Sequence, residues 1–199
     1  WNDGTEQEIF TVDELIEKFS LGRVQKSPAR FDEQRLLWLN GQHIRALSLD
    51  NLYIRSLPFW TEKAREAGEA QQMHVLALVQ DRLKTLADLP ILTSYFFEEP
   101  IINWSMISEN KQLSKLEKSE VMTYLQAAHD ALATSNFDAE SIQATLNQLL
   151  ETTGQKPGIL FSLIRLAVSW APFSPALNDT LAVLGKETVL ARLSQAINQ

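Results

Sequence analysis

Apolar residues recur at helical spacing, three or four positions apart, along most of this chain. Stretch 31–47 shows the pattern well, and one face of its helix would hold Leu36, Leu37, Asn40, Ile44 and Leu47. The glycines and prolines, seven of each, fall between such segments. The period-two alternation of a half-buried strand is missing. The sequence therefore predicts an all-α protein.

Capping residues mark where two of these helices begin and end. Thr11 is a good N-cap for a helix over 11–19, and Glu14 three residues later completes a capping box. Asp138 would cap a later helix, and Gly154 would end it, because glycine readily adopts the left-handed conformation of a helix terminus.

The last part of the chain is predicted to form two short helices separated by Gly185. Ser174 is expected to cap the first of them and Pro175 to be its first residue, behind an exposed Phe-Ser-Pro corner. A composition shift near 98–110 suggests a boundary between two helical halves. Other helices or helix pairs are predicted over 50–68 (broken near Pro58), 71–86, 88–97, 118–134 and 156–170, with an irregular connection over 98–113.

Composition excludes several classes of site. The 199 residues include no cysteine, so disulfides and thiolate metal sites are excluded. No apolar run approaches the roughly 20 residues that span a membrane, no signal peptide is visible, and the first residue, Trp1, hints at a piece of a longer protein. A net charge of −7 argues against nucleic-acid binding, although a local basic cluster can survive within it. Such a cluster comprises Arg23, Lys26, Arg30 and Arg35.

A search for catalytic chemistry finds no active site and no metal site. The three histidines, His43, His74 and His129, are far apart and lack partners at the spacing that metal ligands take on a helix. Adjacent carboxylates occur at 32–33 and 98–99, but neighbouring residues of a helix face apart. No glycine-rich loop of the kind that cradles phosphates is present.

Two parts of the sequence match a known family. The first joins the pattern KSPA-x-FD at 26–32 to the pattern W-x-N-G-x-x-I-R at 38–45. The second comprises Arg165, Ser174-Pro175, Leu177, Leu184-Gly185-Lys186-Glu187 and Arg192-Leu193, while 98–153 matches more weakly. On these residues the chain resembles bacterial glutamyl-tRNA synthetase, or glutamate–tRNA ligase, over the C-terminal part that follows the catalytic domain and contains the anticodon-binding domain.

The resemblance implies a division of the chain and a function. Residues 1–47 would end a stem-contacting helical domain, and 48–100 and 101–199 would be the two subdomains of an α-helical cage that reads the anticodon. The family's two ATP signature motifs are missing from this sequence. We therefore expect no catalytic residue, no cofactor and no aminoacylation by this chain alone. The full-length enzyme would join glutamate to tRNA with ATP and Mg²⁺. Its partner would be tRNA(Glu), and it would be a cytoplasmic monomer that binds no membrane.

The resemblance also assigns RNA contacts to particular residues. Arg82 matches the arginine that discriminating enzymes place at the third anticodon base, and Arg165 matches a base-contacting arginine. The turn beside the first anticodon base would comprise Ser174, Pro175 and Leu177. A further family arginine aligns near Asn147, which leaves a contact to the middle base without a residue. The predicted tRNA backbone contacts are Arg23, Lys26, Arg30 and Arg35.

The same residues have simpler interpretations without the resemblance. Arg82 could be a solvated surface arginine, Arg165 could pair with an internal carboxylate, and the basic cluster could be a solvated loop. Two other functions stay open from the sequence. One is the anticodon cage of a class I lysyl-tRNA synthetase, and the other is a helical protein-interaction module without an RNA role.

Overall fold

The computed structural model of the protein describes residues 1–25, 30–171 and 174–199, and all regular structure in these ranges is helical, as the sequence predicts. The α-helices of the described ranges are α1 (Val12–Lys18), α2 (Glu33–Arg45), α3 (Leu49–Ser56), α4 (Glu62–Glu66), α5 (Glu69–Val79), α6 (Leu89–Thr93), α7 (Ser105–Ser108), α8 (Lys118–Thr134), α9 (Ala139–Thr153), α10 (Pro157–Ser169), α11 (Leu177–Leu184) and α12 (Lys186–Ile197). Short 3-10 turns, among them Gln80–Arg82 and Leu86–Asp88, lie between some of them.

The predicted caps of α1 and α9 are confirmed. Thr11 accepts a hydrogen bond from the amide of Glu14, whose carboxylate accepts one from the amide of Thr11. Asp138 accepts from the amide of Ser141 at 2.8 Å, which holds the pKa of its carboxyl below the usual range. Gly154 ends α9 with φ at +64°, the left-handed conformation that glycine adopts without strain.

Two predicted helix boundaries are wrong. The helix predicted over 71–86 is α5, which ends at Val79, because the next residues form a 3-10 turn held by side chains of α2. The helix predicted to begin with Ser174 and Pro175 is α11, which begins at Leu177. The hydroxyl of Ser174 does not cap it, because that hydroxyl is hydrogen-bonded to Arg165 and to the carbonyl of Pro175.

The chain divides into two compact units. Unit 1 comprises Trp1–Phe59 and Gln80–Leu89, and unit 2 comprises Trp60–Val79 and Pro90–Gln199. The domain boundaries predicted above, after residues 47 and 100, stay predictions about functional parts.

Unit 2 has the larger hydrophobic core, built mainly from α8 to α12. Helix α12 packs against α8 and α10, and α9 packs against α8 and α11. Fully buried side chains include Leu125, Leu132, Leu146, Leu163 and Leu193. At roughly 1.5–3 kcal/mol for each fully buried large apolar side chain, such a layer stabilises the helix bundle.

Unit 1 buries fewer side chains. Its fully buried residues include Leu52, Leu83 and Leu89, whereas α1 contains no buried residue. Large apolar side chains are exposed along 9–38, among them Ile16, Leu21 and Phe31. Within unit 1, the turn Gln80–Arg82 packs on α2.

Candidate nucleic-acid interface

The segment that carries Arg82 is anchored to the C-terminal half of α2. The side-chain amide of Gln80 donates to the carbonyl oxygens of Ile44, at 3.1 Å, and Leu47, at 2.9 Å. From α2, Arg45 Nη1 donates to the carbonyl of Asp81 at 3.1 Å. These bonds fix the backbone directly before Arg82 and end the α-helical run at Val79.

The backbone on the other side of Arg82 is fixed as well. The amide of Asn40 donates to the carbonyl of Lys84, and the side chain of Leu83 is fully buried. A Cβ at Gly41 would lie 3.2 Å from the carbonyl oxygen of Leu83, so glycine permits the close approach of the two backbones. Residues 80–84 therefore form a turn whose course is set on both sides of Arg82, and we call it the clamped turn.

The carboxylate of Asp88 closes the clamped turn from within its own segment. Its Oδ2 accepts from the amides of Lys84, at 3.1 Å, and Thr85, at 2.8 Å. Backbone amides inside a turn need hydrogen-bond acceptors, as do those at the start of a helix. The Asp88 carboxylate is the acceptor for these two amides.

Arg82 is exposed on the clamped turn, and its side chain makes no hydrogen bond or ion pair with any residue that the structure describes. A guanidinium has five N–H donors and no acceptor. The side chain is thus a flexible cation on a fixed backbone, suited to a partner that presents hydrogen-bond acceptors.

A second predicted site lies in unit 2, at the corner between α10 and α11. Arg165 Nε donates to the hydroxyl of Ser174 at 2.6 Å, and that hydroxyl donates to the carbonyl of Pro175 at 3.2 Å. Ser174, Pro175 and Leu177 are buried, while Arg165 is half-buried. The structure thus brings Arg165 and Ser174 together. Ser174 and Pro175 are buried rather than exposed as expected, and Phe173 of the predicted Phe-Ser-Pro corner lies outside the described residues.

The predicted backbone-contact cluster in unit 1 is only partly assembled. Arg23 donates to the carbonyl of Asp3, and Arg35 pairs with Glu8 at 2.6 Å. Arg30 is exposed and has no partner in the described ranges, and Lys26 lies outside the described residues. Asn147, the position near which a family arginine aligns, is exposed and accepts from Gln143 at 2.9 Å.

Sequence reasoning missed what the pattern W-x-N-G-x-x-I-R does. The pattern was part of the evidence for the family resemblance, but no structural or functional role was predicted for it. In the structure, the residues of the pattern that contact the clamped turn are Asn40, Gly41, Ile44 and Arg45. Asn40, Ile44 and Arg45 lie close together on one helix, and Gln80, which donates to the carbonyl of Ile44, follows 36 residues later. Such widely separated positions can be recognised as one site only once the tertiary contact is known.

The described ranges contain neither a helix long and apolar enough to cross a membrane nor a cluster of three or more His, Asp or Glu side chains suited to a metal ion. We assign neither ATP nor Mg²⁺ to residues of this chain.

Comparisons with known proteins agree with these observations. The family profile "Anticodon binding domain" matches residues 51–197. The glutamate–tRNA ligases of Chloroflexus aurantiacus and Moorella thermoacetica are 34% and 35% identical to the chain, over 99% and 98% of its length. The chain spans about two fifths of the length of these curated relatives, 41% of each.

Solved structures share the fold over the whole chain. A glutamate tRNA ligase from Elizabethkingia meningosepticum, solved in complex with its amino acid, matches with a TM-score of 0.80 and 22% identity, and 39% of it is covered. The glutamate–tRNA synthetase of Elizabethkingia anophelis matches with a TM-score of 0.76 and 24% identity, and 38% of it is covered. Since the family profile covers most of the sequence, the chain belongs to the anticodon binding domain family.

Proposed function

We propose that this chain reads the anticodon of tRNA(Glu) as part of a glutamate–tRNA ligase. The observation that carries the proposal is Arg82, an exposed arginine without a partner among the described residues, on a turn whose backbone is fixed from both sides. The family match and the glutamate–tRNA ligase relatives favour this function over a lysyl-tRNA synthetase cage or a protein-interaction module.

Hydrogen-bond chemistry suits Arg82 to the third anticodon base. That base is C in glutamate tRNA and G in glutamine tRNA. Cytosine offers the acceptors O2 and N3 to a donor-only guanidinium. Guanine also offers acceptors, at O6 and N7, so the larger purine must fit badly for discrimination to follow. A fixed backbone beneath the arginine limits how far its side chain can move to admit the larger base.

The corner between α10 and α11 would contact the first anticodon base. Ser174 is buried and its hydroxyl accepts from Arg165 Nε, so a base at this corner would meet the half-buried guanidinium, which the hydroxyl holds in place. Pro175 and Leu177 would support the corner from beneath, since both are buried. Single-stranded loops are read by edge contacts and stacking of this kind.

The whole protein would ligate glutamate to tRNA(Glu) in the cytoplasm, using ATP and Mg²⁺ bound by parts beyond the matched domain. This chain would supply recognition alone, act as a monomer and show no aminoacylation by itself. Arg23, Lys26, Arg30 and Arg35 would position the tRNA through its phosphates, which fix register without reading sequence.

Replacing Arg82 tests the proposal. The kcat/KM of the whole protein that contains this chain is measured on tRNA(Glu) and tRNA(Gln) for the wild type, Arg82→Gln and the matched control Arg55→Gln, an exposed arginine of the same unit. Because one discriminating base contact contributes about 1–3 kcal/mol, we expect the ratio of the two efficiencies to fall roughly 10- to 100-fold in Arg82→Gln alone.

A different outcome would separate the alternatives. A phosphate contact at Arg82 would weaken both tRNAs equally and leave the ratio unchanged. If the ratio and both efficiencies stay unchanged, Arg82 is a solvated surface residue. Either outcome overturns the assignment of Arg82 to the third anticodon base.

A further inference from the structure

A small cleft lies beside the clamped turn, on the face of α2 that carries Trp38. Its volume is about 210 Å³, smaller than the roughly 300–1,000 Å³ of a typical drug-sized ligand site, so it suits one ring rather than a large molecule. The lining residues are Gln34, Leu37, Trp38, Gly41, Arg45 and Lys84. All belong to unit 1.

The indole of Trp38 is exposed yet held in place. The residue is 44% accessible, a large fraction for tryptophan, which is mostly buried on average. In one of the two amide orientations of Gln42, the amide oxygen accepts from Trp38 Nε1 at 3.2 Å and from Arg45 Nη2 at 2.8 Å. A flat aromatic surface fixed before binding loses little entropy when a ligand stacks on it.

The charges around the cleft are of one sign. Arg45 and Lys84 are the charged residues of its lining, and no carboxylate is among the lining residues. The sequence 34–49 contains no Asp or Glu at all. The nearby Asp88 accepts from two backbone amides of its own segment, and Asp81 contributes its carbonyl to Arg45. In a chain of net charge −7, such a carboxylate-free basic cleft favours an anionic ligand.

We infer that this cleft binds one nucleotide of the RNA, with the base or ribose against the Trp38 indole and its phosphate at Lys84 and Arg45. An anionic group next to a planar ring is the chemistry that such a site recognises, and aromatic residues interleaved with basic ones are typical of single-stranded RNA contacts. The inference rests on the proposed function for the identity of the RNA. It adds a contact beyond Arg82.

Four variants of the whole protein that contains this chain test the site, each measured by binding to a tRNA(Glu) transcript over a range of salt concentrations. Trp38→Leu removes the stacking surface, and Trp38→Phe keeps a smaller ring in its place. Lys84→Gln removes one charge, and Lys111→Gln removes the same charge from an exposed position in unit 2. Circular dichroism melts of each variant report whether it is folded.

We expect Trp38→Leu to weaken binding roughly 5- to 150-fold, as measured for loss of one stacked base, and Trp38→Phe to retain most of the affinity. Lys84→Gln should lower the slope of log K against log salt by about 1, whereas Lys111→Gln should leave it unchanged. Binding should also quench the tryptophan fluorescence of the wild type more than that of Trp38→Phe.

The outcomes separate this inference from the proposed function. If the wild type binds the transcript and folded Trp38→Leu and Lys84→Gln bind it equally well, the cleft inference is overturned while the proposed function stands. If the wild type shows no binding to the transcript, the proposed function is overturned and the cleft with it. If adenosine monophosphate quenches Trp38 and the transcript does not compete, the cleft is a free-nucleotide site and the inference fails.

Discussion

At the scale of single residues, Arg192 is the most deeply placed charge in the described part of unit 2. It is 4% exposed, and its Nη1 donates to the carbonyls of Tyr95, at 2.9 Å, and Val168, at 2.8 Å. Its Nη2 donates to the carbonyl of Glu98 at 3.0 Å, and its Nε pairs with the Glu99 carboxylate at 3.1 Å. Backbone carbonyls, rather than the half-exposed carboxylate, therefore satisfy most of this guanidinium.

That distribution predicts unequal effects on stability. Arg192→Met would leave two buried carbonyls and one partly buried carbonyl without this donor, and we expect it to lower the free energy of unfolding by about 3–5 kcal/mol. Glu99→Gln keeps an acceptor at a side chain that is 54% exposed, so it should cost about 1 kcal/mol or less. Urea unfolding followed by circular dichroism gives both values. Equal losses would mean that the ion pair, not the carbonyl cage, holds Arg192.

At the scale of elements, the helix caps are pH-sensitive parts of the fold. Asp138 caps α9, and the hydrogen bond from the Ser141 amide lowers the pKa of its carboxyl. A carboxyl whose pKa is lower in the folded state stabilises the fold above its unfolded pKa, about 3.9, and loses that contribution as the pH falls through the folded pKa.

Asp138→Asn tests this contribution, because asparagine also caps helices but does not titrate. Other carboxyl groups titrate in both proteins and cancel in the comparison. We expect the melting temperature of the wild type to fall further than that of Asp138→Asn when the pH is lowered from 5 to 3. Parallel curves for the two proteins would show that the ionised carboxylate contributes nothing to the cap.

The elements also show what local sequence can predict. The caps at Thr11, Asp138 and Gly154 were predictable because each acts on residues within three or four positions. The end of α5 and the start of α11 were not, because Gln80 and Ser174 are held by groups 36 and nine residues away. Hydrogen-bonding side chains near a boundary choose between local and distant partners, and the sequence does not reveal the choice.

The candidate site, like the helix boundaries, depends on contacts between distant parts of the chain. Arg82 was proposed only through the family resemblance, since an exposed arginine in a helical pattern carries no signal of its own. Arg165 lies in an apolar segment and so needs an acceptor, but that signal did not distinguish RNA from an internal partner. The sequence did not predict the cleft at Trp38, because the cleft forms between α2 and a turn some 40 residues later in the chain. Lys84 lies beside Trp38 only in the folded protein.

At the scale of the whole molecule, the two units differ in net charge and in how many apolar side chains they bury. Unit 1 carries nine Lys and Arg against eleven Asp and Glu, and unit 2 carries nine against fourteen. The negative charge that argued against RNA binding therefore belongs mostly to unit 2. The buried apolar side chains also concentrate in unit 2, whereas α1 in unit 1 has none.

Hydrogen exchange should reveal this difference. Helix α1 has seven residues and none of them is buried, so little packing opposes the opening of its backbone hydrogen bonds. The amides of α1 should therefore exchange at rates close to those of an unfolded chain. The amides of α8, which packs on α9, α10 and α12, should be protected to nearly the full free energy of unfolding. Exchange followed by mass spectrometry resolves the two segments. Strong protection over 12–18 would contradict the prediction.

The clamped turn has a consequence for how such a protein can change its specificity. Asn40 and Arg45 donate to the carbonyls of Lys84 and Asp81, whereas the side chains that anchor the turn from within are those of Gln80 and Leu83. None of these contacts involves the side chain of Arg82. Position 82 can therefore be exchanged while the scaffold beneath it stays the same. If Arg82 reads the anticodon as proposed, recognition and folding would be separable at this position, and new decoding preferences could be sought there without rebuilding the scaffold.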